Sequence, residues 1–327
     1  MPTVFAVPGL SNVLKAGAVL LLAASAGCFV KSIPVPQITV KATPEKLDRG
    51  RYLAEHVTGC IDCHSERDWG RYSGPMKPGT AGKGGEVFDE KYGLPGTIVA
   101  SNITPAALKD WSDGEIVRAI ANGISRDGSA LFPLMPYPSY SVMDPDDLEA
   151  IVAYLRTLPP NDNKPPRTDL NFPVNFIVNR MPVESAPQKR PKSSDGVAYG
   201  KYMVTIGGCG DCHTPRKGAD AVEGMFLAGG TEMPLPGGGI IRPTNITPDA
   251  DTGIGAWSKK DFIAAFKNHA SGPSKPVEPG KENTVMPWTF YAGMTDEDLG
   301  AMYEYLKTVP AVKNKFDVFT PPQGAGK

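Results

Sequence analysis

The sequence predicts an all-α fold arranged as two tandem copies of one unit, and three observations predict it. Four segments recur in the same order in the two halves of the 327-residue chain. They are SNITP (101–105) and TNITP (244–248), WSDGEI (111–116) and WSKKDF (257–262), LMPYPSY (134–140) and VMPWTFY (285–291), and MDPDDLEAIVAYLRTLP (143–159) and MTDEDLGAMYEYLKTVP (294–310). The last pair carries its apolar residues at helical spacing: Leu148, Ile151, Val152, Leu155 and Leu158 in one copy, Leu299, Met302, Tyr303, Leu306 and Val309 in the other. No segment alternates for long at the strand period. The length suits two domains.

In chain order, Lys15 precedes the apolar run AGAVLLLAASAG (16–27), which is too short for the ~20 residues of a membrane span. It suits a signal peptide over 1–27 ending in small side chains. Cys28 follows directly, as in bacterial lipoprotein signals, where that cysteine is acylated and becomes the new N-terminus. Ser25 stands where such signals carry an aliphatic residue. An ordinary export signal or an uncleaved anchor is the alternative, and each reading exports the chain. Residues 28–45 are Pro-rich without helical period and read as a tether.

The first repeat is expected over 46–160. Its opening helix, DRGRYLAEHVTG (48–59), leads into the motif GCIDCHSER (59–67). Ser112 with Glu115 forms a capping box for a middle helix. Asp144 and Pro145 supply the N-cap and N1 of the closing helix, and Pro159 ends it. Residues 161–196 are a linker in which LNFPVNFIVNRMP is apolar enough to lie across the interface between repeats. The second repeat, 197–320, mirrors the first: AYGKYMVTIGG (198–208), GGCGDCHTP (207–215), Ser258 with Asp261 as an N-cap signal, Thr295 as a cap and Pro310 as a stop.

The chemistry lies in the two cysteine motifs. Cys60 and Cys63, like Cys209 and Cys212, are three apart, so both sulfurs of a pair share one helical face. His64 or His213 follows directly. Two thiols and an adjacent imidazole make the attachment geometry of a c-type haem, with two thioether bonds and a proximal iron ligand. A redox Cys-x-x-Cys needs no histidine, and the second pair lies far beyond the ~15–20 residues that separate the pairs of a zinc ribbon. Two complete motifs imply two covalent haems c.

The sixth ligand separates a carrier from an enzyme, because only an open or displaceable iron position binds peroxide or a gas. Met135 and Met286 lie at nearly the same distance beyond His64 and His213, and each precedes a proline that stiffens its loop. They are the candidate distal ligands, with gap-filling core methionine as the bland alternative. Met143 and Met294 repeat as well, but directly precede the caps Asp144 and Thr295, where an apolar residue acts as a hydrophobic staple. His56 and His269 are expected in surface or core roles. Trp111 and Trp257 are expected near a haem edge, with ordinary core burial as an equal alternative, and Asn102 and Asn245 are expected to hold loops around the propionates. A formal charge of −1 and the lack of any basic tract interleaved with aromatics argue against a nucleic-acid partner.

With C-x-x-C-H, N-I-T-P, W-S, M-P and the closing D-L motif in this order, each half resembles a class I cytochrome c domain. More closely, each is similar to domains in the cytochrome subunits of membrane-bound alcohol, aldehyde and gluconate dehydrogenases. The resemblance implies His64/Met135 and His213/Met286 as axial pairs. It also implies a non-catalytic role passing electrons from a dehydrogenase to a quinone-linked or oxidase acceptor, which the N-terminal signal and Cys28 would place on the periplasmic side of a bacterial membrane, lipid-anchored. Those subunits carry three haems, where this chain has two motifs. A dihaem cytochrome c peroxidase is the alternative from a different class, although two equivalent Met-Pro loops argue against its division of labour. A haem-based sensor would want an attached signalling domain, and none is visible.

Overall fold

Each half is built around an opening helix crossed by a closing helix, and the local sequence fixes both. In the computed structural model, which describes residues 29–218, 220–270 and 274–323, the Thr43 hydroxyl accepts from the Lys46 amide and starts Pro44–His56. Asp195 caps its counterpart, Gly196–Ile206. The closing helices, Pro145–Leu155 and Asp296–Leu306, begin at Asp144 and Thr295 as expected. They stop before Pro159 and Pro310, yet Leu158 and Val309 stay buried against the core.

The crossing depends on two glycines. A Cβ on Gly50 would stand 1.9 Å from the Ala150 carbonyl oxygen, and one on Gly200 would stand 1.9 Å from that of Ala301. Only a residue without a Cβ lets the two backbones approach this closely. Leu53, Val57, Ile151 and Val152 then close over the first crossing, and Met203, Ile206, Leu299 and Leu306 over the second. Each such fully buried side chain contributes about 1.5–3 kcal/mol of transfer free energy. The middle helices, Asp113–Asn122 and Lys259–Lys267, both start with complete capping boxes. The second was expected only as a simple cap; Asp261, although one methylene shorter than Glu115, still reaches the Ser258 amide at 2.9 Å.

The fold is predominantly helical, with short antiparallel strands that the expectation of an all-α chain omitted. Val87–Phe88 pairs with Gly96–Val99, which pairs with Asp169–Leu170 of the linker. Met233–Pro234, Ile240–Ile241 and Phe319–Thr320 form a second ribbon, and Arg216–Lys217 pairs with Asp220–Ala221. Most are two residues long, too short to show a period of two.

The linker lies on the first half. Asn122 Nδ2 donates to the Val183 carbonyl and the Ser185 hydroxyl, each at 2.9 Å, and the Arg190 amide donates to Asp144 at 2.7 Å. Its apolar segment does not bury as a unit. Val178 is buried, whereas Phe172 is 80% exposed and Phe176 and Ile177 are exposed too. The short Val174–Ile177 helix presents too little surface to bury both faces. The 29–43 stretch, expected as a tether, runs along the first half, with the Val40 amide donating to Asp113 at 2.8 Å.

The halves meet reciprocally. Tyr52 donates to Asp298 at 2.5 Å and accepts from the Thr295 amide at 3.2 Å. Tyr202 donates to Asp147 at 2.7 Å and accepts from the Asp144 amide at 3.2 Å. Each opening helix thus caps the closing helix of the other half. Buried Asp147 also receives a two-pronged pair of bonds from Arg49, at 3.0 and 2.9 Å. Among the described residues, no helix is long and apolar enough to cross a membrane.

Candidate functional site

Each cysteine motif forms one turn of helix behind a left-handed glycine. Gly59 (φ 69°) precedes Cys60–Cys63, and Gly208 (φ 66°) precedes Cys209–His213. The turn places each cysteine pair on one face, and all four thiols are free. Among the described residues no three His, Cys, Asp or Glu side chains gather to hold a metal ion, so the zinc reading finds no ligand set.

The histidines are aimed by the backbone. His64 Nδ1 lies 2.7 Å from the Ser101 carbonyl, and His213 Nδ1 lies 2.7 Å from that of Thr244. A carbonyl can only accept, so Nδ1 carries the proton in both rings and each Nε2 keeps its lone pair. Burial lowers both imidazole pKa values from the usual range, against an opposing effect of the carbonyl bond. A neutral imidazole with a bare, oriented Nε2 is the form that ligates iron.

The repeated S/T-N-I-T-P turns hold those carbonyls. Asn102 Oδ1 accepts from the amide and hydroxyl of Thr104, both at 2.8 Å, while its Nδ2 donates to the carbonyls of Asn161 and Asn163 at 2.7 and 2.9 Å. Asn245 does the same with Thr247, Val312 and Thr252. Both amide protons of each asparagine are committed, so these residues fasten the turn to the segments beside it. Behind them, Gly84 (φ 68°) and Gly229 (φ 69°) donate to the His64 and His213 carbonyls, each at 2.7 Å. A Cβ on Gly84 would meet Ser101–Asn102 backbone at 2.5 Å, and one on Gly229 would meet Pro243–Thr244 backbone at 2.4–2.5 Å.

Met135 and Met286 are half-buried against the core, each in the loop that enters a short helix, Tyr137–Tyr140 or Trp288–Tyr291. A tyrosine in each short helix returns to the opening helix. Tyr140 donates to the Thr58 carbonyl, and Tyr291 to that of Gly207 at 2.7 Å. Sequence reasoning missed these tyrosines, although both stand fifth after the methionine in the repeated segment. The buried Tyr137 hydroxyl finds no partner among the described residues, as suits a wall that a further group completes. Met143 and Met294 are fully buried under the closing helices.

Other candidates are engaged elsewhere. The His56 ring packs between Tyr52 and Phe290, and His269 stacks between Trp288 (5.1 Å, 23°) and Tyr72 (6.0 Å, 19°). Trp257 is 41% exposed, and Trp111 is half-buried against the core. Cys28 and the 1–27 segment lie outside the described residues.

The two motif turns approach one another. Cys212 is close enough to Cys63 to oppose its ionisation, and a Cβ on Gly207 would stand 3.7 Å from the Val57 carbonyl. Their surroundings differ. Asp62 forms a buried ion pair with Arg67 at 3.2 Å, whereas Asp211 accepts from Ser139 of the first half at 2.9 Å.

No family model matches the chain. It is 32% identical to a Cereibacter sphaeroides protein named "Diheme cytochrome c-type", over 92% of this chain and 99% of that one. It is 30% identical to the cytochrome c subunit of a quinone alcohol dehydrogenase from Gluconacetobacter polyoxogenes, over 84% of this chain and 58% of the subunit. It is 27% identical to the fructose dehydrogenase cytochrome subunit of Gluconobacter japonicus, over 91% of this chain. The chain therefore spans about three fifths of the dehydrogenase subunits, at 58% and 60% of their lengths, and nearly the whole of the dihaem relative.

Proposed function

The chain belongs to the c-type cytochrome family that includes this dihaem protein and the dehydrogenase cytochrome subunits, and on that premise we propose that it is a two-haem electron carrier. Two tandem cytochrome c domains, 46–160 and 197–320, wrap one covalent haem c each. Cys60 with Cys63, and Cys209 with Cys212, form the thioether bonds. His64 and Met135 are the axial ligands of the first iron, His213 and Met286 those of the second. When bound, the haem supplies one-electron chemistry through its iron. The chain's own part is to orient each Nε2 through the Ser101 and Thr244 carbonyls, to stiffen the methionine loops with proline and to surround the group with apolar side chains. Methionine opposite histidine raises the potential and leaves no position free for a substrate.

The single observation that carries this reading is the pair of histidines directly after free cysteine pairs, with both Nδ1 atoms held by backbone carbonyls at 2.7 Å. Electrons come from a membrane-bound dehydrogenase and go to a quinone-linked or oxidase acceptor. The chain works on the periplasmic face of a bacterial membrane, anchored by lipid on Cys28. The peroxidase alternative has no support: each half carries a Met-Pro loop that enters a short helix, and His269 is occupied in an aromatic stack.

The ferric holoprotein should show two six-coordinate low-spin haems with the methionine–iron charge-transfer band, and no reaction with peroxide. Met135→Ala and Met286→Ala should each remove about half of that band and lower one potential. Unaltered spectra in both variants would show that neither methionine ligates.

A further inference from the structure

The Met286 loop is held by the other half of the molecule. Residues 67–76 form a narrow hairpin in the first half, with Arg67 bridged to Met76 and the Asp68 amide donating to the Pro75 carbonyl at 2.9 Å. Its tip lies along 274–288 of the second half. The Tyr72 amide donates to the Lys275 carbonyl at 2.8 Å, the Val277 amide to that of Gly70 at 2.8 Å, and Arg71 Nη1 to that of Ser274 at 2.7 Å. Tyr72 stacks on His269, which stacks on Trp288.

Ser73 sits at the centre of this contact, 1% exposed. Its hydroxyl donates to the Met286 carbonyl at 2.6 Å and accepts from the Trp288 amide at 2.8 Å, so one oxygen spans both sides of the Met286-Pro287 bond. Its amide donates to Asn283 Oδ1 at 2.9 Å. Ser73 adopts φ 68°, a region where a residue with a Cβ is strained, so the surrounding bonds hold it there. Arg67 supplies two of them: Nη2 donates to the Ser73 carbonyl and Nε to that of Gly74, both at 2.7 Å, while Nη1 faces Asp62 in the first cysteine motif at 3.2 Å. The Met135 loop itself is tied to its own half, by the Leu131 amide to Gly123 and the Met135 amide to Phe132, and the short helix after it reaches the second half through Ser139 and Asp211.

We propose that Ser73 is a positioning residue through which the 67–76 hairpin of the first half holds the Met286 loop closed, so that this hairpin governs the distal ligand of the second haem and not that of the first. This rests on the reading of Met286 as a ligand. Removing the hydroxyl leaves the Met286 carbonyl and the Trp288 amide only the 2.9 Å bond they make with each other, cuts their tie to the first half, and lets the loop open more often. Because Arg67 touches both the first motif and the carbonyl of Ser73, the hold is built from the surroundings of the first haem.

The test uses the full-length ferric holoprotein with imidazole as the competing ligand, followed by loss of the methionine–iron band. Ser73→Gly is the variant of choice, because glycine accepts this φ and removes only the side chain. Met286→Ala and Met135→Ala identify the kinetic phase belonging to each haem. We expect Ser73→Gly to accelerate the phase that Met286→Ala abolishes about fivefold, the effect of one net hydrogen bond, and to leave the other phase unchanged. Asn283→Ala should act on the same phase. Equal acceleration of both phases, or no change in either, would overturn the proposal. A methionine band untouched by Met286→Ala would instead overturn the ligand assignment, and the proposal with it.

Discussion

At the residue scale, the site depends on groups that aim the ligands as much as on the ligands. Cys60, Cys63, His64 and their repeats were legible because covalent attachment requires a fixed spacing of rare residue types. The carbonyls of Ser101 and Thr244 were not, because a backbone acceptor leaves no side-chain signature; only the repeated N-I-T-P turn marks the place. Within that turn Asn102 and Asn245 fasten neighbouring loops. Asn102 is buried and uses its carbonyl for Thr104 and both amide protons for the segment after the closing helix. Asn102→Ala should strand at least one buried partner and cost about 1–3 kcal/mol, read as a lower Tm. The haem spectrum should change little, since the His64 Nδ1 bond runs to a carbonyl. A large spectral change with Tm unaltered would mean that the amide contacts the haem directly.

At the element scale, the starts of the middle and closing helices were readable, whereas the first opening helix begins at Pro44, ahead of the expected 48, and the contacts between helices were not readable. Ser112, Asp144 and Thr295 announce their helices by local chemistry, and each caps where expected. The short ribbons escaped notice because two residues carry no periodicity, and Asp169–Leu170 finds its partner far away in sequence. Gly50 and Gly200 look like poor helix residues until the crossing is seen. Alanine at either position gains about 1 kcal/mol in intrinsic helix propensity. Against that, its Cβ would fall 1.9 Å from a carbonyl oxygen on the facing helix, which forces the backbones apart. Overpacking of that kind costs about 1–3 kcal/mol, and here the obstacle is backbone that no rotamer change can clear. Gly50→Ala and Gly200→Ala should therefore each lower the Tm despite the better propensity. A rise in Tm would show that the helices can part without loss.

At the scale of the whole molecule, the halves are joined by two tyrosines that also make the junction sensitive to alkali. Burial, then the neighbouring carboxylates Asp298 and Asp147, raise the Tyr52 and Tyr202 pKa values above the ordinary range. In the unfolded chain both phenols ionise near pH ~10. Above that pH the unfolded state releases protons that the folded state retains, so stability is present in full below pH ~10 and falls as the pH rises further. Tyr52→Phe and Tyr202→Phe remove the titrating groups and should flatten that alkaline slope. Each also takes a partner from a buried carboxylate and a closing-helix amide, so stability at neutral pH should fall by about 1–3 kcal/mol per site. The buried cluster runs through both halves, from Leu53 and Ile151 to Met203 and Leu299, so the parent protein should unfold in one transition. With both tyrosines replaced, reciprocal capping is gone and calorimetry should resolve two transitions. A single transition in the double variant with the slope above pH ~10 unchanged would mean that the apolar cluster and the 67–76 hairpin are enough to couple the halves and that other groups set the alkaline response.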